Sequence, residues 1–232
     1  MSRLLLLFFL LNSFIALSQD YGHKNLFSSV IGENIKKYNK ECEKAYSDSN
    51  FERAEFLFDS LVKNVINGSY MDNFKMRKLS GKIIQFHKFE KPVFLMTYAS
   101  WCTPGIGEIP ALNEIAEQYY KEIDFVILFW NSKKEVKKVS GEYSKKIHIL
   151  YIDEMENTHN HVIECMKHSL GFPTSFFINE NKKIVDIRRG VLHPYNEEYE
   201  ISYELNYTSF LNGISLLKAS IIKDDAVVVK QE

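Results

Sequence analysis

The sequence predicts an α/β fold in which a central mixed sheet carries helices on both faces, with a helical appendage at the N-terminal side. Apolar residues recur at helical spacing from residue 26 to residue 66. From residue 74 onward, apolar strand-like runs alternate with helical segments, and the alternation ends in two consecutive strands. Of the 232 residues, 45% are hydrophobic and 25% are charged, so the chain has ample apolar material for a core.

Charge and cysteine content exclude two classes of protein. The 29 Lys and Arg residues balance 30 Asp and Glu, and the net charge of −1 lacks the clustered basic excess that nucleic-acid binding requires. Three cysteines are too few for a small disulfide scaffold and leave at least one thiol unpaired.

Residues Met1–Ser18 have the pattern of a secretory signal peptide. Arg3 supplies the positive charge, an apolar run follows it, and Ala16 and Ser18 supply small residues for cleavage after Ser18. The apolar run of about 14 residues is shorter than the ~20 that span a bilayer. We therefore expect export to a bacterial periplasm or cell envelope, with no membrane span in the mature chain.

A helical hairpin is predicted over residues 19–70. Its two helices each carry one apolar stripe, formed by Ile31, Ile35, Tyr38, Cys42 and Ala45 and by Ala54, Leu57, Phe58, Leu61 and Val65. Asn50 is placed to cap the second helix, and Asn67-Gly68 is placed to end it. Two such helices cannot bury a core alone, so we expect them to pack on the following domain.

The following domain is predicted over residues 71–222, and residues 223–232 are predicted to form an exposed tail. Strands are expected at Phe74–Leu79, Lys82–Phe86, Pro92–Tyr98, Asp124–Trp130, Ile147–Ile152, Thr174–Ile178 and Lys183–Arg188. Helices are expected at Pro104–Lys121, Ser132–Glu142, Thr158–Leu170 and Glu197–Lys218. Ser80-Gly81 is typical of a hairpin turn between the first two strands.

The segment Trp101-Cys102-Thr103-Pro104-Gly105 lies where the third predicted strand passes into a helix. Unpaired N–H groups at a helix start favour an anion, so this position predicts a lowered pKa for the Cys102 thiol and a nucleophilic thiolate. Pro104 suits a first helical turn, whereas Pro110 is expected to kink the helix interior. The alternative interpretation is a buried structural cysteine.

Two segments resemble the TlpA/ResA-type thioredoxin-like (redoxin) family. Trp101-Cys-Thr-Pro-Gly, followed by Glu108-Ile-Pro, is similar to the family's W-C-x-P-C and E-x-P patterns. Gly171-Phe-Pro-Thr-Ser-Phe-Phe-Ile-Asn is similar to its G-x-P-T-x-F-x-I-D segment. The resemblance covers residues 74–190, and it implies a thioredoxin-like fold and thiol–disulfide exchange in the cell envelope.

The resemblance also implies roles for individual residues. Cys102 becomes the attacking sulfur, and Pro173 becomes a cis-proline that faces it. The substrate-binding residues are then Trp101, Thr103, Pro104, Gly105, Pro173 and Thr174. The implied partners are protein thiols or disulfides as substrates and an external thiol as reductant.

The sequence departs from this family at the second cysteine. Gly105 occupies the position of the resolving cysteine, so the motif is CTPG in place of CxxC. Met96 stands where thioredoxin itself carries a buried acid that helps to deprotonate the resolving thiol. A mixed disulfide on Cys102 then depends on an external thiol for its release, or on another cysteine of the chain.

Cys165 is the candidate for that second cysteine, and a thiol that takes no part in the chemistry is the alternative interpretation. A helical wheel places it at the polar edge of its helix, beside His161 and His168, whereas Cys42 lies on an apolar stripe. The same face, with His159 nearby, has a spacing that can hold a transition metal, but polar surface is the simpler interpretation and no metal is predicted. No cofactor motif is present.

Three functions remain open. The motifs favour a thiol–disulfide oxidoreductase that works through the single cysteine Cys102. A redox-inactive binding module on the same scaffold is the alternative, because a fold does not guarantee its chemistry. A thiol peroxidase comes last: the peroxiredoxin pattern has Thr or Ser three residues before the cysteine and Pro seven before it, where this chain has Ala99 and Leu95.

Overall fold

The structure is a computed structural model that describes residues 25–155, 160–171, 173–190 and 197–228. Its helices are α1 (Phe27–Ser47), α2 (Phe51–Leu61), α3 (Glu108–Tyr119), α4 (Lys133–Val139), α5 (Asn160–Ile163) and α6 (Tyr199–Val228). Its strands are β1 (Lys75–Lys78), β2 (Ile83–Gln85), β3 (Val93–Tyr98), β4 (Asp124–Phe129), β5 (Ile147–Tyr151), β6 (Thr174–Ile178) and β7 (Ile184–Arg189). Across those ranges, no helix combines the length and the hydropathy that a membrane crossing requires.

The strands form one mixed sheet in the order β2-β1-β5-β4-β3-β6-β7. Strands β3, β4 and β5 run parallel, and the remaining neighbours pair antiparallel. The predicted α/β fold with a central mixed sheet is therefore confirmed. The predicted hairpin is also confirmed, with Gly81 at a φ of 92° in its turn, a conformation that glycine adopts without strain.

The two predicted N-terminal helices are present, and local signals set their ends. The side chain of Asn50 accepts a hydrogen bond from the N–H of Arg53 at 2.9 Å, as expected of an N-cap. Helix α2 continues as a π-helical turn over Val62–Ile66, and the chain then turns at Gly68 with a φ of 90°. The ends predicted at Asn50 and at Asn67-Gly68 are thus confirmed.

Each face of the sheet carries its own hydrophobic core, because side chains alternate between the two faces along a strand. Along β3, Val93 and Leu95 belong to the first core, whereas Phe94, Met96 and Tyr98 belong to the second. The N-terminal helices and the π-helical turn after α5 cover the first face, and α3 and α6 cover the second. The appendage therefore shares a core with the sheet, as its small size predicted.

Helix α3 begins at Glu108, not at Pro104 as the sequence predicted. The later start places Pro110 in the first turn, where a missing N–H breaks no helical hydrogen bond, so the reason for expecting a kink is removed. A long-range contact lies at this start of α3: the N–H of Gly107 donates a hydrogen bond to the Ser202 hydroxyl of α6 at 3.1 Å. A Cβ atom on Gly107 would lie 2.2 Å from the backbone nitrogen of Tyr203, so only glycine fits there.

Two other helices differ from prediction in their extent or winding. Helix α6 continues to Val228, beyond Lys218 where the prediction ended it. Helix α5 changes after one turn into a π-helix over Glu164–His168. Because a π-helix turns less per residue than the 100° of an α-helix, the wheel drawn from the sequence does not give the faces of this segment.

Candidate functional site

Strand register brings the two candidate segments to one edge of the sheet. Thr97 of β3 pairs with Thr174 of the neighbouring antiparallel strand β6. The chain after β3 and the chain before β6 therefore leave the sheet at the same edge, with Cys102 on one and Pro173 on the other. The direct facing of Pro173 and Cys102 that the resemblance implies stays a prediction.

Cys102 lies in an irregular turn between β3 and α3. Its N–H donates to the carbonyl of Ala99 at 2.9 Å, and its half-buried side chain packs against the second core. Trp101 and Ile106 on either side are 71% and 63% exposed. Cys102 is therefore only partly covered and lies in a turn that carries two exposed apolar side chains.

A buried carboxyl group lies beneath this turn. Glu108, the first residue of α3, is only 5% exposed. The hydroxyl of Tyr98, the last residue of β3, and the backbone of Gly105 are the polar groups that act on the pKa of its carboxyl. The half-buried Tyr143 contributes a second phenol that interacts electrostatically with both Glu108 and Cys102. The site thus combines one thiol, one carboxyl group and two phenols.

Burial determines the protonation of this cluster. It raises the pKa of Glu108 to about 7, although the hydrogen bonds from Tyr98 and Gly105 oppose the change. The same desolvation raises the pKa of Tyr98 and of Tyr143, so both phenols stay protonated at neutral pH. Glu108 is therefore the group in the cluster whose charge changes near neutral pH.

The lowered thiol pKa predicted for Cys102 is wrong. Burial raises the pKa of this thiol, a backbone hydrogen bond at Ala99 lowers it, and the Glu108 carboxylate raises it again; the net direction is upward. The physical reason is the late start of α3 at Glu108. Helix-dipole effects fade within the first turn, so Cys102 lies outside their reach, and desolvation dominates.

The Pro173 segment is held by contacts within the sheet. The carbonyl of Pro173 accepts the N–H of Gly190 at 2.9 Å. Thr174 is fully buried, and its hydroxyl donates to the carbonyl of Gly171 at 3.0 Å. The Thr174 hydroxyl therefore holds the loop, and the substrate-binding role of this residue stays a prediction. The predicted cis bond joins Pro173 to residue 172, which lies outside the described residues.

Gly190 is the residue that lets Pro173 occupy its position. A Cβ atom there would lie 2.4 Å from Cγ of the Pro173 ring, closer than real Cβ contacts. We expect Gly190→Ala to displace the proline loop and to slow any exchange at Cys102 roughly tenfold, because small displacements of a site group are costly. The measurement is the second-order rate with a model disulfide. Gly141→Ala, where an added Cβ meets nothing within 4 Å, is the matched control and should leave the rate unchanged.

The structure does not bring Cys165 to Cys102. Cys165 is buried in the first core, on the sheet face opposite to the one that Cys102 packs against. Its thiol donates to the carbonyl of Ser28 in α1 at 3.7 Å, and burial raises its pKa to about 11. The polar-edge position predicted for Cys165 is therefore wrong, because the π-helical turn directs it into the core, and the resolving role predicted for it loses its support.

The third cysteine and the predicted histidine face take no part in this site. Cys42 is buried on α1, as predicted from its apolar stripe. His161 and His168 are exposed while Cys165 is buried, so the three do not form one face, and His159 lies outside the described residues. In the part of the chain that the structure describes, no three His, Cys, Asp or Glu side chains are grouped to hold a metal ion.

No role for Glu108 or Tyr98 was predicted from the sequence. Glu108 was visible as the first residue of the E-x-P pattern, but the sequence did not show that this carboxyl is buried beneath Cys102. Tyr98 was visible only as the end of an apolar strand. Two features of the sequence could have pointed to Glu108 as the acid of the site. An acidic residue follows closely after Cys102, and position 96, where thioredoxin carries its acid, is a methionine that the structure buries in the second core.

The sheet order, with the cysteine between a central parallel strand and a helix and a proline loop beside it, defines a thioredoxin-like protein. Residues 68–187 match the model of the AhpC/TSA family, which is slightly more than half of the chain. The chain belongs to the AhpC/TSA family.

Individual relatives are distant. The thioredoxin-like protein YneN of Bacillus subtilis (strain 168) is 23% identical over 142 residues, which cover 59% of this chain and 79% of that protein. Two solved structures are similar: the exposed lipoprotein thioredoxin (Etrx1) of Streptococcus pneumoniae, with 20% identity and a TM-score of 0.42, and the thioredoxin domain of a thiol-disulfide oxidoreductase of Bacteroides vulgatus, with 15% identity and a TM-score of 0.45. They cover 53% and 63% of this chain and 92% and 96% of their own.

Proposed function

We propose that the protein is a thiol–disulfide oxidoreductase that forms mixed disulfides at the single cysteine Cys102. The observation that carries this proposal is the half-buried Cys102 thiol beside the buried Glu108 carboxyl, whose pKa of about 7 lets it hold or release a proton at neutral pH. A thiol with a raised pKa is almost entirely protonated at neutral pH, so a neighbouring base that takes its proton speeds its reaction, and Glu108 is that base.

The first exchange step conserves atoms and electrons. As a substrate disulfide docks, the Glu108 carboxylate accepts the Cys102 proton, and the sulfur attacks one substrate sulfur. A bond forms between Cys102 and that sulfur while the substrate disulfide breaks. The second substrate sulfur leaves and takes the proton back from Glu108. Cys102 is then oxidised in a mixed disulfide, and one sulfur of the substrate disulfide has been reduced to a thiol.

An external thiol completes the cycle because Gly105 supplies no second sulfur. One external thiolate attacks Cys102, releases the bound substrate as a thiol and takes its place on the cysteine. A second external thiolate removes the first as a disulfide and restores the Cys102 thiol. The substrate disulfide is reduced to two thiols, and two external thiols are oxidised to a disulfide.

The substrate in this proposal is a polypeptide. Trp101 and Ile106 offer exposed apolar contacts beside the sulfur, and the Pro173 loop offers backbone at the same edge of the sheet. Thr103 is exposed, and Pro104 and Gly105 are half-buried in the same turn. Location in a bacterial periplasm or cell envelope, after removal of residues 1–18, belongs to this proposal, because disulfides persist in such compartments.

A redox-inactive binding module is the second candidate, and the raised pKa of Cys102 favours it. In that case Trp101 and Ile106 bind a partner without sulfur chemistry. Partner capture would then survive the loss of the thiol, whereas covalent capture requires it.

Trapping and repair of the motif separate the two candidates. The purified protein is incubated with a disulfide-containing peptide, and mass spectrometry locates any mixed disulfide on Cys102, Cys42 or Cys165. We expect it on Cys102 alone.

Gly105→Cys restores a CxxC motif and should convert a stoichiometric reaction into catalytic turnover with a dithiol reductant. If the wild-type protein forms no adduct and Gly105→Cys stays inactive, the binding module is correct. Gly141→Cys, in open space far from the motif in sequence, controls for an added thiol.

A further inference from the structure

Two oppositely charged segments flank the turn that carries Cys102. The turn itself, residues 99–107, contains no charged side chain. Helix α4 presents a basic flank of exposed lysines: Lys133, Lys134, Lys137 and Lys138. The start of α6, with the residue before it, presents an acidic flank of exposed glutamates: Glu198, Glu200 and Glu204. No Lys or Arg occurs from residue 197 to residue 217, so the acidic flank has one sign of charge.

The fold places the two flanks on opposite sides of the turn. Both helices contribute to the second core, but α4 connects β4 to β5 on one side of β3, whereas α6 packs on β6 and β7 on the other side. Asn131, two residues before α4, accepts the N–H of Ser100 at 2.7 Å. The hydroxyl of Ser202 in α6 accepts the N–H of Gly107 at 3.1 Å. One hydrogen bond therefore connects each flank to one end of the turn.

Helix stability does not account for the basic flank. The start of a helix carries partial positive charge, so Lys133 and Lys134 in the first turn of α4 occupy positions that are unfavourable for cations. The acid of the same turn, Glu135, accepts hydrogen bonds from the N–H and the hydroxyl of Ser132 and completes a capping box. The lysines therefore place positive charge on the surface at a local cost, which is expected where an oppositely charged partner binds.

We propose that this surface binds a second copy of the chain about a two-fold axis, which brings the two Cys102 side chains together. The inference rests on the proposed exchange function and identifies its external thiol. A two-fold rotation exchanges the two sides of the turn, so the basic flank of each copy faces the acidic flank of the other. The exposed side chains of Trp101 and Ile106 then lie at the uncharged centre of the interface, where apolar contacts are typical.

The second copy supplies the sulfur that Gly105 does not. After a substrate disulfide has formed a mixed disulfide with one Cys102, the Cys102 thiolate of the second copy attacks the Cys102 sulfur of the first. A bond forms between the two Cys102 sulfurs, and the substrate leaves as a thiol. In total, two Cys102 thiols are oxidised to one disulfide, one substrate disulfide is reduced to two thiols, and the two Cys102 protons end on those thiols. Because the interface consists of the turn and the near end of each flank, we expect reversible association that the disulfide makes covalent.

The test reverses the charge of each flank separately at the end nearest the turn. Lys133→Glu with Lys134→Glu opposes acid to acid in a two-fold dimer, and Glu198→Lys with Glu200→Lys opposes base to base. Purified wild-type protein with a small disulfide, at low ionic strength, should form a dimer linked through Cys102. Each reversed variant alone should form this dimer roughly tenfold more slowly, because like charges now face each other. Non-reducing electrophoresis measures the rate, and mass spectrometry locates the bond.

Mixing the two reversed variants gives the decisive measurement. In a heterodimer each reversed flank faces a flank of opposite charge again, so the mixture should regain the wild-type rate and yield mainly the heterodimer, which its mass identifies. Lys36→Glu with Lys40→Glu is the matched control. These exposed lysines lie on α1, which covers the opposite face of the sheet, so the same change of net charge should leave dimer formation unchanged.

The outcomes separate this inference from the exchange function. If Cys102 forms adducts with the small disulfide but the mixture yields homodimers and heterodimers in statistical proportion, or no dimer, the inference is overturned and the exchange function stands. If Cys102 forms no adduct in any variant, the exchange function fails. Sedimentation equilibrium of the reduced mixture then decides the interface: preferential association of the two reversed variants supports it, and a monomeric mixture overturns it.

Discussion

Cys102→Ser should reduce the rate of mixed-disulfide formation to that of the buffer blank. A serine hydroxyl fills nearly the same space but cannot form a bond to sulfur in place of the thiolate, so the loss is chemical and not structural. The half-buried position of Cys102 in an irregular turn makes the change mild for folding. The measurement is adduct formation with a disulfide-containing peptide, followed by mass spectrometry over time.

Cys165→Ser is the matched control for this loss. Cys165 lies in the opposite core, and a serine there can still donate to the carbonyl of Ser28, as the thiol does. We expect this variant to form adducts at the wild-type rate. If Cys102→Ser retains adduct formation and Cys165→Ser loses it, the reactive sulfur has been misassigned and the proposed function fails.

Elements with strong local signals were predictable from the sequence. Asn50 caps a helix through its own side chain, Gly81 turns a hairpin through its positive φ, and β6 lies at the predicted Thr174–Ile178. In each case the cause lies within a few residues of the effect. Periodicity and turn chemistry therefore suffice for these elements.

The start of α3 was not predictable in this way. Pro104 and Pro110 both suit a first helical turn, so local rules allow two starting points. The choice depends on Gly107, which touches the backbone of α6 and bonds to Ser202, a residue that is distant in sequence. The wrong start of α3 also led to the wrong direction for the pKa of Cys102, because a lowered pKa was expected from a helix that starts next to this residue.

The sequence predicts a sulfur and a proline for the candidate site, but it does not predict the buried acid. Motif spacing pointed to Cys102 and Pro173, and strand register brings them to one edge. The acid Glu108 interacts with Tyr98 and with Tyr143, and these three residues belong to three separate segments of the chain. Such a cluster becomes visible only in three dimensions, because no single segment carries its pattern.

Glu108 also links the site to the stability of the whole protein. The pKa of its carboxyl is about 7 in the folded chain, against an ordinary value of 4.5. Between these two values the folded state binds more protons than the unfolded state, so the free energy of unfolding falls as pH rises through this window. Below pH 4.5 the stabilising contribution of protonated Glu108 is fully present, and above pH 7 this contribution is lost.

Glu108→Gln should therefore remove this pH dependence. A neutral amide can still accept from Tyr98 and Gly105, but it never becomes a buried charge. Relative to the wild type, we expect the variant to gain up to about 3 kcal/mol in the free energy of unfolding between pH 4.5 and pH 8, from the size of the pKa change. Urea unfolding of both proteins across this range measures the difference, and titrations common to both cancel.

An exposed carboxyl supplies the control. Glu55 lies on the solvent face of α2, where its side chain is in water before and after unfolding. The free energy of unfolding of Glu55→Gln should therefore differ from that of the wild type by an amount that does not vary with pH. A Glu108→Gln difference that is equally flat would mean that the pKa of Glu108 is not raised in the folded protein, and the proposed matching of this base to neutral pH would fail. If the difference appears and exchange at Cys102 slows together with it, one buried carboxyl accounts for both results: the charge that destabilises the fold above pH 7 is the charge that accepts the thiol proton.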